Sequence, residues 1–366
     1  MTHWKHLLSR SITSYEELCR CFPGRIDPAA AAVIKRYPLR INPYYLKLIQ
    51  AAGLPLFLQA VPRAEELDDP VGITDPLAEE RLSPVPGIVH KYPDRALFLV
   101  TGQCALYCRF CTRKRHVGRP SMPAGESTFA AGLDYLKNHT EIKEVLLSGG
   151  DPLLLDDDRL DQILAALRAI PSLEIIRIGS RVPCTLPMRV TKKLCRILKK
   201  YHPLFINTHF NHPAELTDEA GLACRRLADA GIPLGCQTVL LRGINDSPAI
   251  LCDLLRGLLR LRVKPYYLFQ ADLTSGTNHF RTTIDEGRAI MRELIGHLSG
   301  MAIPTYALDA PGGCGKIPLT PSYQVASDDL FRFHSFRGEL CSYPEPDPAA
   351  THFSPGKLAT SYSKTI

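Results

Sequence analysis

The residues with the clearest potential for chemistry are three cysteines, Cys104, Cys108 and Cys111, in the run TGQCALYCRFCTRK. Three thiolates cannot complete the four-ligand shell of a structural zinc ion or of a fully ligated iron–sulfur cluster. A [4Fe–4S] cluster held by only three thiolates keeps one iron open, and that iron can bind a small molecule and pass it an electron. Three buried cysteines, or a zinc site with a distant fourth ligand, are the alternative interpretations.

Two further segments contain residues suited to a cofactor site. LSGGDPLLL includes Gly149, Gly150 and Asp151; the glycines let the backbone approach a ligand closely, and the carboxylate can accept from an ammonium. LDAPGGCGKIPL contains Lys316, whose amine could form a Schiff base with an aldehyde such as pyridoxal phosphate (PLP). It is not a phosphate-binding P-loop, because its spacing is wrong and no Ser or Thr follows the lysine. Either segment alone is more typical of a plain turn.

The elements that must position these segments begin at residue 95. Short apolar or β-branched runs alternate there with amphipathic helices, and the runs are RALFLVT, EVLLSGG, EIIRIGS, PLFINTHF, PLGCQTVLL and KPYYLFQADL. About six βα units at roughly 30-residue spacing predict a parallel sheet. Functional residues of such folds cluster at the carboxyl ends of the strands. The cysteine motif directly follows the first run, so we expect one site at the mouth of a barrel or partial barrel.

The remaining chain divides by composition. Residues 1–85 predict a helical N-terminal extension, in which AAAAVIKRYP and NPYYLKLIQAAG are helices stopped by Pro or Gly. Residues 86–310 form the predicted barrel, and residues 311–342 the lysine loop and a C-terminal segment. Residues 343–366 are poor in apolar side chains and predict a mobile tail. The stretch VPRAEELDDPVGITDPLAEERLSPVPG is rich in Pro and acidic residues and predicts an extended connection into the barrel.

Composition excludes several classes of function. A chain of 366 residues with 45% hydrophobic residues can bury a large core. The net charge of +7 is spread over short basic groups, which is weak support for nucleic acid, and we expect none as a partner. We also expect no membrane association, because the N-terminus resembles no secretion signal and no run of about 18 apolar residues occurs. Twelve cysteines without a signal peptide predict a reducing, cytoplasmic location.

The three motifs together resemble the lysine 2,3-aminomutase family of radical S-adenosylmethionine (SAM), PLP-dependent enzymes. The resemblance extends from about VPGIVHKYPDRALFLVT to PGGCGKIPLTPSY and includes SRVP, NTHFNHP and QTVLLRGIND. It implies an α/β fold with a partial (β/α)6 radical SAM barrel, and an isomerase that moves the α-amino group of L-lysine to Cβ. The implied cofactors are a [4Fe–4S] cluster, SAM and PLP. The implied partners are an amino acid substrate, an electron donor such as flavodoxin or ferredoxin, and further copies of the chain in a homo-oligomer.

The resemblance also implies roles for cofactor-binding residues. Cys104, Cys108 and Cys111 would ligate three irons, and Lys316 would bond to PLP. The SAM site would be lined by a larger set, consisting of Gly149, Gly150, Asp151, His209 and Gln237. Reduction of the cluster would split SAM into methionine and a 5′-deoxyadenosyl radical, which would remove a hydrogen from Cβ of the substrate.

Four residues are implied to contact the substrate or lie close to it. Arg113 matches the arginine that pairs with the substrate carboxylate, a contact that suits a planar guanidinium. Arg95 matches an arginine near PLP and the acidic pocket. Asp272 and Asp309 match two aspartates that receive the distal ammonium of lysine, whose burial without an anionic partner would be costly. Because the glutamate-specific relatives are not acidic at both positions, the pair favours a cationic amino acid, lysine first, with arginine or ornithine left open.

The chain departs from the family pattern at two places, and three rival interpretations remain. Its last fifty residues contain only Cys341, and Ser247 follows the IND segment, so we expect no interface zinc site of the kind several members carry. Cys314 stands where relatives often have glycine. The rivals are the relative that makes β-lysine for an elongation factor, a radical SAM enzyme without PLP, and a non-catalytic iron–sulfur or zinc protein. The complete DAPGGxGK form argues against the first of them.

Overall fold

The computed structural model describes residues 2–325 and 331–344, and the chain separates into two compact units, Met1–Thr320 and Pro321–Ile366. The first unit is built on one nine-stranded sheet whose strands lie side by side in chain order. Its strands are β1 Ile88–Tyr92, β2 Arg95–Thr101, β3 Glu144–Gly149, β4 Ile175–Gly179, β5 Leu204–Thr208, β6 Leu234–Leu240, β7 Lys264–Gln270, β8 Thr305–Ala310 and β9 Gly315–Pro318.

Seven of these strands, β2 to β8, run parallel, while β1 and β9 pair antiparallel at the two ends of the sheet. The ends approach each other, since the amide of Lys316 on β9 donates to the Tyr92 hydroxyl on β1 at 3.2 Å. The sheet is therefore a nearly closed, mainly parallel barrel, which confirms the predicted α/β barrel. The six predicted strands are β2 to β7. The sequence did not single out β1, β8 and β9, whose half-exposed side chains leave no continuous apolar run.

Twelve helices cover the described part of the first unit. They are α1 His3–Ser9, α2 Tyr15–Cys21, α3 Ala30–Arg36, α4 Pro43–Ala52, α5 Leu54–Ala60, α6 Glu126–Asn138, α7 Asp157–Arg168, α8 Val182–Thr185, α9 Lys192–Leu198, α10 Asp218–Asp229, α11 Pro248–Arg260 and α12 Ile284–Leu294. Local chemistry starts several of them. Thr283 and Glu286 form a reciprocal capping box on α12, and Asn42 accepts from the Tyr45 amide beside the N-terminal proline of α4.

Side chains alternate along the parallel strands, as a half-covered sheet requires. On β3, Val145 and Leu147 are fully buried in the same apolar core as Leu160 and Leu164 of α7. Leu146, between them, and Ser148, which follows, are only half buried and lie on the opposite face of the strand. The outer face of the barrel thus carries the apolar core, and the inner face has both polar and apolar side chains.

The N-terminal helices are tied directly to the loop that follows β2. The carbonyl of Arg40 accepts from the Tyr107 amide at 3.1 Å, and the carbonyl of Gln59 accepts from the Arg109 amide at 2.9 Å. Residues 3–60 contain five helices, in agreement with the predicted helical extension. The division of this unit at residues 85 and 310 stays a prediction.

The second unit contains a three-stranded antiparallel sheet of β10 Gln324–Val325, β11 Phe331–His334 and β12 Leu340–Tyr343. Apart from residues 343 and 344, the predicted tail lies outside the described residues. No helix in the described ranges is long and apolar enough to cross a membrane.

A buried ion group fixes the loop after β2 to the connection that precedes the barrel. The Glu66 carboxylate is fully buried and accepts from Arg109 Nη2 at 2.6 Å and from Lys114 Nζ at 2.7 Å. Lys114 also donates to the carbonyl of Gly276 and lies 4.2 Å from the ring centroid of Tyr37. Burial would raise the pKa of Glu66, but the two cations more than offset it and the pKa is lowered. Burial lowers the pKa of Lys114 to about 8.

Replacing Glu66 by Gln should lower the free energy of unfolding by about 3–5 kcal/mol, because two buried cations would lose their only carboxylate. Urea denaturation monitored by circular dichroism measures this change. The control is Asp229→Asn, which removes an exposed ion pair with Arg262 and should cost less than about 1 kcal/mol. Equal costs for the two variants would contradict a structural role of the ion group.

Candidate active site

The three predicted cluster cysteines lie together in the loop that follows β2, at the carboxyl end of the parallel strands. Burial raises the pKa of Cys104, and the neighbouring cysteines and Asp151 raise it further. Burial and Cys108 raise the pKa of Cys111 to about 11. Thiols that influence one another in this way are close in space and need a bound cation to become thiolates.

The donor set fits a cluster better than a single ion. Within residues 2–325 and 331–344, no group of three or more His, Cys, Asp or Glu side chains is arranged to hold one metal ion. In a [4Fe–4S] cluster each thiolate binds a different iron, so the sulfurs must be spaced more widely than around one ion. Three thiols on one short loop that are not arranged around a single ion fit such a cluster.

The two glycines at the end of β3 hold the cysteine loop against the sheet. The Gly150 amide donates to the carbonyl of Thr101 at 2.6 Å, and the Asp151 amide donates to the carbonyl of Gln103 at 2.7 Å. A Cβ on Gly149 would lie 2.3 Å from the Thr101 oxygen, and one on Gly150 would lie 2.3 Å from the Gln103 oxygen. The absence of side chains here is therefore required by the protein backbone itself, in addition to any approach of a ligand.

Asp151 is buried, and its carboxylate organises the segment after β4. It accepts from the Ser180 hydroxyl at 2.7 Å and from the amides of Arg181, Val182 and Leu153 at 2.7–3.1 Å. Burial raises the pKa of Asp151 to about 6 despite these donors. All four contacts lie within the protein, so the structure gives Asp151 a positioning role, and its contact with the amino group of SAM stays a prediction.

Arg181 is a site residue that the sequence analysis missed. Its Nη1 donates to Cys108 Sγ at 2.8 Å, and its Nη2 donates to Glu215 Oε1 at 2.7 Å and Gln59 Oε1 at 2.6 Å. Its guanidinium carbon lies 5.2 Å from the centroid of the Phe110 ring. The signal available in the sequence was the SRVP segment, within which nothing distinguished the arginine from its neighbours. The cationic side chain of Arg181, in the loop after β4, therefore contacts the sulfur of Cys108 in the loop after β2.

His209 and Gln237, the weaker SAM-site candidates, are placed differently. His209 follows β5; its ring centroid lies 5.5 Å from that of Phe110, and its Nε2 is 2.9 Å from Asn211 Oδ1. Burial and Arg181 lower the pKa of His209 to about 3, so the imidazole is neutral. Gln237 is half buried within β6 and pairs in register with Tyr267. The structure thus brings His209 to the cysteine loop and leaves Gln237 further down the barrel wall.

The lysine loop brings Lys316 beside Asp309. The two residues are cross-strand partners on β9 and β8, and Lys316 Nζ lies 3.2 Å from Asp309 Oδ2. Lys91 Nζ pairs with the other oxygen, Oδ1, at 2.6 Å. Lys316 Nζ also lies 5.7 Å from the ring centroid of Tyr92 and 5.6 Å from that of Phe269. An amine between two aromatic rings and next to a carboxylate fits a flat aldehyde cofactor.

Asp272 differs from Asp309 because no other side chain neutralises it. Within the described ranges it has neither a hydrogen bond nor an ion pair. Burial and the negative charge of Asp309 raise the pKa of Asp272 to about 7, against the opposing effects of Lys316 and Lys91. A half-buried carboxylate without a partner is costly, and an arriving cation would relieve that cost.

The two predicted arginines have different partners. Arg95 donates to Asp94 at 2.8 Å, and its guanidinium carbon lies 4.0 Å from the centroid of the Tyr92 ring, which also contacts Lys316. Arg113 already holds a carboxylate, since its Nε donates to Glu79 Oε2 at 2.7 Å and its Nη2 donates to Glu79 Oε1. The sequence analysis missed Glu79, which lies in the acidic connection and carried no motif.

Cys314 causes no distortion of the lysine loop. The flanking glycines have positive φ values, 73° at Gly312, 77° at Gly313 and 95° at Gly315. Cys314 itself has φ −72° and ψ −2°, which any residue adopts, and its side chain is exposed. The departure from glycine at this position is therefore accommodated.

The fold and site define the class of protein. Residues 98–255 match the Radical SAM superfamily, and these residues contain the end of β2, the cysteine loop and β3 to β6. The chain is a radical SAM enzyme, and a [4Fe–4S] cluster and SAM are the cofactors of that superfamily. Residues 291–365 match the family described as lysine-2,3-aminomutase.

Full-length relatives agree with that second match. The L-lysine 2,3-aminomutase of Clostridium subterminale is 44% identical over 96% of this chain and 85% of its own length. That of Bacillus subtilis is 48% identical over 94% of this chain and 74% of its own length. A glutamate 2,3-aminomutase of Clostridioides difficile is 45% identical over 84% of this chain and 74% of its own length. The chain belongs to the lysine 2,3-aminomutase family and is an isomerase that acts on an amino acid.

Replacing Gly150 by Ala should displace the cysteine loop, because the new Cβ would meet backbone atoms that cannot move aside. We expect a stability cost of about 1–3 kcal/mol and loss of most of the iron bound after anaerobic reconstitution. Iron analysis and the cluster absorbance measure the second effect. Gly300→Ala, which meets no atom within 4 Å, is the matched control and should retain its iron. Full iron content in both variants would contradict the proposed attachment of the loop.

Proposed function

We propose that this chain is an L-lysine 2,3-aminomutase that moves the α-amino group of L-lysine to Cβ and gives β-lysine. The observation that supports this substrate is the pair of carboxylates Asp272 and Asp309 beside Lys316, of which Asp272 forms no ion pair within the described residues. Overall identity does not choose the substrate, because lysine and glutamate aminomutases match the chain almost equally well. The negative charges of Asp272 and Asp309 distinguish the two substrates, because they favour the cationic side chain of lysine over that of glutamate.

The proposed roles of the cofactor-binding residues follow from their positions. Cys104, Cys108 and Cys111 hold the cluster, and Lys316 is the attachment point for PLP. When bound, the cluster, SAM and PLP supply an electron, a carbon radical and a carbonyl group that receives the migrating amine. The half-buried cysteine loop and the aromatic walls formed by Tyr92 and Phe269 keep water from the reacting carbon atoms.

Asp309 is held between Lys91 and Lys316 in the structure. If Lys316 Nζ bonded to the carbonyl carbon of PLP, with loss of water, it would no longer pair with Asp309 as an ammonium. Asp309 Oδ2 would then be open to another cation, and Asp309 and Asp272 together could receive the ε-ammonium of lysine. A glutamate side chain would instead bring a third carboxylate, and like charges at a buried site cost several kcal/mol.

Arg113 is the proposed partner of the substrate α-carboxylate, and Arg95 contributes positive charge on the other side of Tyr92. A planar guanidinium binds a carboxylate through two parallel hydrogen bonds. This contact orients the carbon atoms of the substrate between Arg113 and the two aspartates. Arginine and ornithine have the same charges as lysine and are the alternative substrates.

We also infer the setting of the reaction. All twelve cysteines are unpaired, and an electron is needed from outside the chain. A reducing cytoplasm with a donor such as flavodoxin or ferredoxin satisfies both conditions. The homo-oligomer stays an inference from the family resemblance.

Anaerobic, cofactor-loaded protein given reductant and L-lysine should form β-lysine, detected by mass spectrometry. Asp272→Ala and Asp309→Ala should each lose turnover by about 100-fold or more while iron and PLP remain bound, because the ammonium loses a partner. Asp158→Asn, an exposed carboxylate on α7, is the control. Retained lysine turnover in both pocket variants would remove the substrate argument. Cleavage of SAM without β-lysine would redirect the assay to arginine and ornithine.

Lysine binding should weaken as the pH falls through the raised pKa of Asp272, about 7. Only the ionised carboxylate attracts an ammonium, so below that pKa each further pH unit should reduce affinity up to about tenfold. Calorimetric titrations of the cofactor-loaded protein without reductant, between about pH 6 and 8, measure this slope. Asp272→Asn should bind more weakly throughout and lose most of the slope. An unchanged slope in that variant would assign the titration to another group.

A further inference from the structure

An acidic segment of the connection, residues 69–82, lies across the loops that carry the proposed site and is called the strap below. At its first end, Asp69 Oδ2 accepts from the Gly276 amide at 2.6 Å. The Ile73 amide then donates to the carbonyl of Leu273 at 2.6 Å. The strap is therefore attached to the loop after β7, immediately beyond Asp272.

The strap is also attached to the cysteine loop and to the lysine loop. Arg115 Nη1 donates to the carbonyl of Thr74 at 2.6 Å. The Gly312 amide donates to the carbonyl of Pro76 at 2.8 Å, and Arg81 Nη2 donates back to the carbonyl of Gly312 at 2.6 Å. One segment of the chain thus connects all three loops over the mouth of the barrel.

Glu79 lies in the strap and points into the site. Both of its carboxylate oxygens accept from Arg113, and the two side chains are only 14% and 17% exposed. Glu79 is also close enough to Asp272 to contribute to its raised pKa. Arg113 Nη1 has a long contact of 3.3 Å with Ser148 Oγ. The Nε–Nη2 edge of the Arg113 guanidinium, which can bind a carboxylate through two hydrogen bonds, is therefore occupied by Glu79.

We propose that Glu79 is a competing carboxylate that occupies the Nε–Nη2 edge of Arg113 in the resting enzyme and is displaced by the α-carboxylate of the substrate. The inference rests on the proposed function, because it takes Arg113 as the carboxylate site. Two carboxylates on one largely buried guanidinium would leave a negative charge uncompensated, whereas exchanging one for the other conserves charge. An amine without a carboxylate cannot make this exchange, so Glu79 should affect the affinity only of ligands that carry a carboxylate.

The same exchange assists the distal end of the pocket. While Glu79 is in place, Asp272 has two acidic neighbours, Asp309 and Glu79. Movement of Glu79 away from Arg113 removes one of them as the substrate brings its ammonium to Asp272. Binding at the two ends of the substrate is thereby coupled through a single side chain.

The test compares L-lysine with L-lysinamide, which keeps both amines but has no carboxylate. Cofactor-loaded protein without reductant is titrated anaerobically in a calorimeter. Glu79→Gln should bind L-lysine about three- to tenfold more tightly than the wild type, because the competing carboxylate is gone. Its affinity for L-lysinamide should change far less, because that ligand has no carboxylate to compete with Glu79. Glu80→Gln is the matched control, since Glu80 is the neighbouring strap residue, pairs with Arg115 and should leave both affinities unchanged.

Equal or weaker binding of L-lysine by Glu79→Gln would overturn the proposal and make Glu79 a support that orients Arg113. If the wild type prefers arginine or ornithine, the proposed substrate fails, and the same comparison with that amino acid and its amide still decides the role of Glu79. Binding of no amino acid to either protein would overturn both. Should Glu79→Gln not load cofactors, Glu79→Asp, which is one methylene shorter, replaces it in the same comparison.

Discussion

A carboxylate taken out of water has to be compensated by cations, and two fully buried glutamates beside the cysteine loop show how this chain does so. Glu66 holds Arg109 and Lys114, and Glu215 holds Arg181, which in turn contacts Cys108. Arg109 and Lys114 flank the cysteines in the sequence, and Arg181 contacts Cys108 directly. Neither carboxylate can move without leaving a charge uncompensated, so electrostatics and the backbone hydrogen bonds from Gly150 and Asp151 together fix the position of the cysteine loop.

The parts of the structure that were predictable are those with local signals. Strand β2 and the cysteines that follow it are contiguous, and the glycines at the end of β3 are recognisable as a turn in the sequence itself. Arg181 and Glu79 were not predictable, because each acquires its role from a partner 34 residues away, Glu215 and Arg113 respectively. Strand β8 was missed for a related reason, since its burial depends on neighbours on both sides of the sheet.

Residue type and physical role did not always coincide. The GGD turn was interpreted as an approach for a ligand, and the structure adds that its backbone closes against the cysteine loop. Asp272 and Asp309 were equivalent in the sequence, yet one is held between two lysines and the other has no partner in the described residues. Asymmetry of this kind is a property of the folded pocket, and a sequence in which both residues are aspartates does not show it.

The distribution of partners around the cysteine loop bears on how the metal centre is assembled in the cell. The thiols emerge from the ribosome early, but the loop is complete only when Glu215 and the carbonyl of Gly276 are available to Arg181 and Lys114. Until then the nascent chain exposes three thiols with no fixed geometry. The cysteine loop can therefore reach its final geometry only after most of the chain has been synthesised.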